Sequence, residues 1–283
     1  MKIGVVDVGG GNRGIYAAGV LDYCLAENIR FDLGIGVSAG SANLISYAAG
    51  QQKRNYQFYA EYSSRKEYSS FKNFLTKKSF IDLDYIYGTL TNSDGENPLD
   101  YASFIKNPME FYVVASETRT GKVHFFNKKD FSQDHYDVLK ASCAIPFVCH
   151  PYSVNNIEYF DGGISNPVPI KEAFKFGCDK VVLLLTKPID FVRGSRINAF
   201  IAKIIRHSYP KAAENLTKMA KSYNDSIKWA KEKANMNDLL IVAPEDTYGV
   251  DTLTKNHNKL TKLYKEGYRD GKKIKNFISE FSI

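Results

Sequence analysis

GVVDVGGGNRGIYAAGVLDYCLAENIRFDLGIGVSAG, running from Gly4 to Gly40, decides the fold of this 283-residue chain. It contains two apolar runs, each ending in a glycine-rich turn. Met1 to Val8 reads as a short buried strand, and Gly9 to Gly14 as a turn that opens a helix. Along that helix Ala17, Val20, Leu21, Cys24 and Leu25 recur at the i, i+3, i+4 spacing of one apolar face, which ends at Glu27-Asn28. A second strand follows from Phe31 to Val37, and Gly36 to Gly40 turns into a helix of small residues, Ala42 to Ala49, that can lie close on a sheet. Strand, helix, strand, helix is a βαβ opening and predicts an α/β fold.

GVSAG at Gly36–Gly40 fits G-x-S-x-G, in which a sharp strand-to-helix turn exposes a serine, here Ser38. Such a pentapeptide arises by chance in on the order of one chain in ten of this length, so its weight comes from the strand before it and the helix after it. GGGNRG at Gly9–Gly14 is a second strand-to-helix turn whose amides can approach an anion. Gly9, Gly11 and Gly14 also have the spacing of a dinucleotide fingerprint. The place of the ribose-binding acid after the second strand is, however, taken by GVSAG. An oxyanion hole facing a serine accounts for both turns, whereas a nucleotide site accounts for one. For the proton acceptor, Asp161 in YFDGGISNPVP ends an apolar strand, and Gly162-Gly163 let the chain turn away from it. A Ser, Asp, His order using His207 or His257 stays open, although 37 residues before Ser38 leave room for only two strands, too few for an α/β-hydrolase.

Taken together and in this order, GGGNRG, GVSAG and DGG resemble the patatin-like phospholipases, and ASCAIPF and DGGISNPVPIKEA are similar to their bacterial branch. The resemblance implies a three-layer sandwich, with a mostly parallel central sheet and helices on both faces. It implies Ser38 as nucleophile and Asp161 as base of a dyad, and an oxyanion loop holding Gly9, Gly10, Gly11, Arg13 and Gly14. Gly36 and Gly40 are then the glycines of the elbow, and Asp161, Gly162 and Gly163 the Asp-Gly-Gly motif. The implied activity is cofactor-free hydrolysis of carboxylic esters of lipids or phospholipids. It covers residues 1–188 as the catalytic domain and leaves 189–283 as a Lys-rich, mainly helical section packed on the same domain. An esterase, thioesterase or acyltransferase acting on soluble acyl groups, and a silent lipid-binding protein, are the rival readings.

Elsewhere the pattern continues the alternation. Tyr56 to Leu90 is aromatic and less regular, and reads as helices covering the site. Met109–Ser116 and Lys122–Phe126 read as a hairpin, Ile157–Phe160 as the second strand of a hairpin turning at Asn155-Asn156, Pro169–Phe176 as a helix, and Lys180–Thr186 as a buried strand. Leu239–Ala243 is a strand among long helical stretches. The four cysteines lie far apart and the five histidines show no ligand spacing, so no metal site is expected. No run reaches the ~18 apolar residues of a membrane span, and Met1–Gly10 lacks the pattern of a secretory leader. The expectation is a cytoplasmic soluble protein, with peripheral contact at the inner membrane surface as an alternative. Of the net charge of +7, residues 201–283 supply +6, from 16 Lys and Arg against 10 Asp and Glu. No nucleic-acid motif accompanies this charge, which reads either as solvated helix faces or as a patch drawn to an anionic membrane surface, a choice that neutralising Lys272, Lys273 and Lys275 tests.

Overall fold

Alternation along the strands sets the layers. In the computed structural model, which describes residues 1–279, the β-strands are β1 (Ile3–Asp7), β2 (Leu33–Val37), β3 (Glu110–Glu117), β4 (Val123–Asn127), β5 (Tyr152–Val154), β6 (Ile157–Asp161), β7 (Lys180–Leu184) and β8 (Leu239–Val242). They form one sheet in the order β5-β6-β3-β2-β1-β7-β8, with β4 paired to β3. From β3 through β2, β1 and β7 to β8 every pairing is parallel; β4, β5 and β6 join antiparallel.

Helices cover both faces: α1 (Ile15–Ala26), α2 (Ala39–Ala48), α3 (Arg54–Ala60), α4 (Phe71–Lys77), α5 (Tyr101–Lys106), α6 (Asp137–Cys143), α7 (Ile170–Lys175), α8 (Arg196–Ile205), α9 (Pro210–Asn235), α10 (His257–Asp270) and α11 (Lys272–Ser279). Val5, Val182 and Leu184 point into a core shared with α1, α2 and α10, whereas Val6, Val181 and Leu183 point to the other face, against α7 and the later part of α9. Strands buried on both faces read as continuous apolar runs, which is why β1 and β7 lack polar alternation. The result is the expected three-layer α/β sandwich. The turn between β5 and β6 also falls where expected, with Asn155 and Asn156 at φ 51° and 63°, as a tight hairpin requires.

One expectation needs correction. The sequence gives α1 a single apolar face, but every residue from Ile15 to Cys24 is buried, Asp22 among them. The second face is covered by α10, which crosses so closely that a Cβ on Gly19 would lie 2.2 Å from the Tyr264 carbonyl oxygen, and one on Gly267 would lie 2.0 Å from that of Tyr16. Tyr16 donates to Asp270 (2.8 Å) and Tyr264 to Asp22 (2.7 Å), so these two buried carboxylates each have a hydroxyl partner at the crossing.

Candidate active site

Strand register brings the predicted residues together. Val37 pairs with Val114 on β3, and the next residue of β3, Ala115, pairs with Asp161 at the end of β6. Ser38, one step beyond Val37, therefore leaves the sheet beside Asp161. Its backbone sits at φ 55°, ψ −133°, a region that a non-glycine residue occupies only when its surroundings hold it there. The holding groups are identifiable. The Ser38 amide donates to Ser142 Oγ (2.9 Å), and that hydroxyl donates to the Val114 carbonyl (2.7 Å). The Ser38 carbonyl accepts from Ser41 Oγ at 2.6 Å. Gly40 must lack a side chain, because its Cβ would lie 2.3 Å from the Asp7 carbonyl oxygen, while Gly36, the last residue but one of β2, lies against Ser41 in the first turn of α2.

Ser38 lies beside the Asp161 carboxylate and favours its charged form, and Asp161 Oδ1 accepts from the Gly163 amide at 2.8 Å. Gly162 lies against Val114 with no room for a Cβ. Ser38 is 7% exposed and Asp161 8%. Burial pushes the Asp161 carboxyl up to about 6, against the opposing pull of Ser38, the Gly163 amide and the Arg193 charge. An aspartate in this state is a far better proton acceptor near neutrality than a solvated one.

Beside Ser38, Gly9, Gly10 and Gly11 all adopt positive φ, at 64°, 127° and 60°. The structure divides the expected oxyanion residues. The Gly9 amide is engaged by Asp7 Oδ1 (2.9 Å), whereas the amides of Gly10 and Gly11 donate to no acceptor among the described residues. Gly10 and Gly11 line the same cavity as Ser38 and Asp161, as does the Arg13 side chain. Gly14 lines neither of the two cavities that meet at Ser38; its carbonyl accepts from Asn43 Nδ2 at 3.0 Å. The larger of these cavities holds about 910 Å³ and opens toward α8 and α9; the smaller, about 60 Å³, lies under Tyr59, Tyr68 and Tyr87. The aromatic stretch from Tyr56 to Leu90 thus covers the serine, with Tyr59 and Tyr87 buried and Phe71 exposed. His207 and His257 line neither cavity, and His257 rests against Tyr56, 3.4 Å from its hydroxyl.

Residues 8–174 match the family described as patatin-like phospholipase. The chain belongs to that family. Residues 209–282 match a domain of unknown function (DUF6363). Over 190 residues the chain is 34% identical to the uncharacterized protein YjjU of Escherichia coli (strain K12), covering 66% of this chain and 52% of that relative, so it spans about half the relative's length. The crystal structure of VipD from Legionella pneumophila superposes over 97% of this chain and 67% of its own at 14% identity, with a TM-score of 0.49.

Several residues of this patatin-like site carry no motif. Asp7 is fully buried, and Asn43 Nδ2 donates to its Oδ2 (2.9 Å); burial pushes its carboxyl up to about 6. Its one signal is a charged letter inside an apolar strand. Thr186 donates to the Gly9 carbonyl, and the Thr252 carbonyl accepts from the Asn12 amide (3.1 Å), so segments far beyond the glycine loop clamp it. Ser142, Thr186, Thr252 and Arg193 gain their roles only from the tertiary fold.

Proposed function

We propose that the protein is a serine hydrolase of lipid carboxylic esters in which Ser38 attacks and Asp161 is the general base. The observation that carries this reading is the strand register that sets Ser38 beside the buried Asp161 carboxylate, both of them lining a 910 Å³ cavity together with Gly10 and Gly11. Ser38 Oγ adds to the ester carbonyl as its proton passes to Asp161. The carbonyl oxygen takes up negative charge and is met by the amides of Gly10 and Gly11. Collapse expels the alcohol, which leaves with the proton from Asp161, and Ser38 keeps the acyl group. Water, deprotonated by Asp161, then adds to the acyl carbon, and the fatty acid departs as Ser38 regains its proton.

A lipid substrate fits the rim of the cavity. Ile197 on α8 lines it and is 75% exposed, and Phe200 and Ile204 continue the same helix face at i+3 and i+7. Arg196, Lys203 and Arg206 are exposed beside them, a pairing of apolar and cationic groups suited to an anionic bilayer. These groups support α8, rather than Lys272–Lys275, as the surface of such a contact. Lys273 lies 3.2 Å from Asp270 and Lys275 2.6 Å from Glu27, beyond the far end of α1, a helix about 18 Å long that starts next to the glycine loop.

The test combines an active-site fluorophosphonate with turnover on a lipid panel. Ser38→Ala should lose both labelling and hydrolysis, and Asp161→Asn should lose turnover by on the order of 10⁴-fold. His207→Ala and His257→Ala should retain it. A histidine variant that folds normally yet matches Ser38→Ala in inactivity would replace the dyad with a triad.

A further inference from the structure

Two cavities meet at Ser38, and they share few walls. Gly11, Ser38, Ile145, Thr252 and Leu253 line both, so Ile145 and Leu253 are the large apolar side chains at the junction. Leu253 lies outside the residues that match the patatin-like family, in the section that matches a domain of unknown function. A turn and three anchors fix its position. Within the turn, Asp251 Oδ1 accepts from the Leu253 amide (2.8 Å) and the Thr254 hydroxyl (2.9 Å). On one side Asn12, itself buried, donates through its backbone amide to the Thr252 carbonyl (3.1 Å) and through Nδ2 to the Thr254 carbonyl (2.7 Å). On the other, Lys255 donates to the Ser69 carbonyl (2.9 Å). Leu253 is thus carried between the glycine loop and the tyrosine-rich cover. At 39% exposure, it is held by its backbone rather than by burial.

The two cavities differ in what each can do for an ester. Asp161 and Gly10 line only the larger. The base must return its proton to the departing alcohol oxygen and later take one from water, so both belong on the Asp161 side, in the larger cavity. The acyl chain, the remaining substituent of the carbonyl carbon, then points the other way. There it meets Phe58, Leu83, Ile86 and the rings of Tyr59 and Tyr87, all buried. The polar tips of these rings are occupied: Tyr59 donates to Asn43 Oδ1 (3.0 Å), and the Tyr87 hydroxyl lies 3.2 Å from Cys143 Sγ. Arg54 also lines this cavity, and its terminal nitrogens donate to Ser46 Oγ (3.0 Å), Thr91 Oγ1 (3.1 Å) and the Asn97 carbonyl (3.0 Å). What the cavity offers a chain is small and mainly apolar. At roughly 15 Å³ for each water-sized group, its 60 Å³ takes about four non-hydrogen atoms, too few for a long acyl chain.

We propose that the smaller cavity receives the acyl group and that Leu253, with Ile145, limits entry at its mouth, so that the protein selects esters of short acyl groups, about four carbons, on bulky alcohols. The turnover half of this inference rests on the hydrolase reading; the binding half does not. Two measurements separate them. One is kcat/KM on p-nitrophenyl esters from acetate to dodecanoate, kept below micelle-forming concentrations. The other is calorimetric titration of Ser38→Ala protein with p-nitrophenyl butyrate and with p-nitrophenyl octanoate. The native protein should prefer butyrate to octanoate by about 10-fold or more, since a misfit of even one methylene in an apolar pocket is worth that much. Leu253→Ala widens the junction and should raise the octanoate-to-butyrate ratio by about 10-fold. Ala42→Leu fills the cavity from α2 and should lower butyrate relative to acetate by a similar factor, about 10-fold, with thermal melting checking the fold of both variants. Hydrolysis with a flat or long-chain profile, or with a short-chain preference that neither variant moves, would overturn the proposal and leave the hydrolase reading intact. If the native protein hydrolyses none of the esters while Ser38→Ala binds butyrate more tightly than octanoate, the hydrolase reading sinks and the cavity stands as a short-chain site. No hydrolysis and no preference in binding would overturn both.

Discussion

Asp161 reaches the end of β6 with one backbone amide, one hydroxyl and a guanidinium charge to replace its hydration shell, and these do not fully compensate for burial. Its carboxyl titrates at about 6 in the folded chain against 3.8 as the ordinary value, so the folded state holds the proton more tightly than the unfolded one. The linked contribution therefore favours folding fully below the unfolded value and is lost as pH rises through about 6. At pH 8 the ionised Asp161 opposes folding by on the order of 2 to 3 kcal/mol. Asp161→Asn should consequently melt above the native protein at pH 8, with the difference vanishing near pH 4. Asp7 and Asp22 are shifted in the same direction by burial but are common to both proteins, so they cancel in this comparison. The native kcat/KM should rise through an acid limb near pH 6. Equal melting of the two proteins at pH 8 would remove the argument that the carboxylate is held at a cost for catalysis. Residues of this kind are legible when glycines announce them, as at Ser38 and Asp161. Ser142 and Arg193 were not, because a lone hydroxyl or guanidinium acquires meaning only from what the fold sets opposite it.

Elements are legible in the sequence where their period is local and obscured where a distant partner reverses it. The two opening strands, the elbow helix and the Asn155-Asn156 hairpin all follow from neighbouring residues. The all-round burial of α1 does not, since its second cover, α10, lies more than 200 residues away in the chain. Gly19 inside α1 reads from sequence as a mild helix weakener, yet it and Gly267 mark the point where two backbones meet. Gly19→Ala would gain up to about 1 kcal/mol in an isolated helix, but here the added methyl must push α10 away. We expect a net loss of about 1 to 3 kcal/mol in urea unfolding, the range of core overpacking. The same displacement should reach the site, because the Thr252 segment that clamps the glycine loop lies just before α10. Turnover per folded molecule should therefore fall as well. A stable, fully active Gly19→Ala protein would show that the crossing relaxes without moving Thr252.

At the scale of the whole molecule, charge and apolar surface have to be read together. Net charge identified a basic C-terminal section, but the sequence could not say which lysines face the same direction as the cavity. No helix among the described residues is long and apolar enough to cross a membrane, and the contact proposed above uses surface groups. Lys273 and Lys275 have carboxylate neighbours away from the serine, whereas α8 sets Ile197, 75% exposed, at the cavity, with Phe200, 61% exposed, three residues further along the helix. Two forces should then be separable in vesicle co-sedimentation. Ile197→Ser/Phe200→Ser removes apolar insertion, worth roughly 1 to 2 kcal/mol per side chain, and should weaken binding about 10-fold or more at any salt concentration. Arg196→Gln/Lys203→Gln/Arg206→Gln removes attraction of roughly 1 kcal/mol per charge, and should weaken binding to anionic vesicles at low salt but hardly at high salt. Changing Lys272, Lys273 and Lys275 to Gln should matter less than either. If α8 instead seats a second copy of the chain, Ile197→Ser/Phe200→Ser would alter sedimentation of the protein alone and leave vesicle binding intact. That result would transfer the apolar rim from a lipid surface to a protein interface.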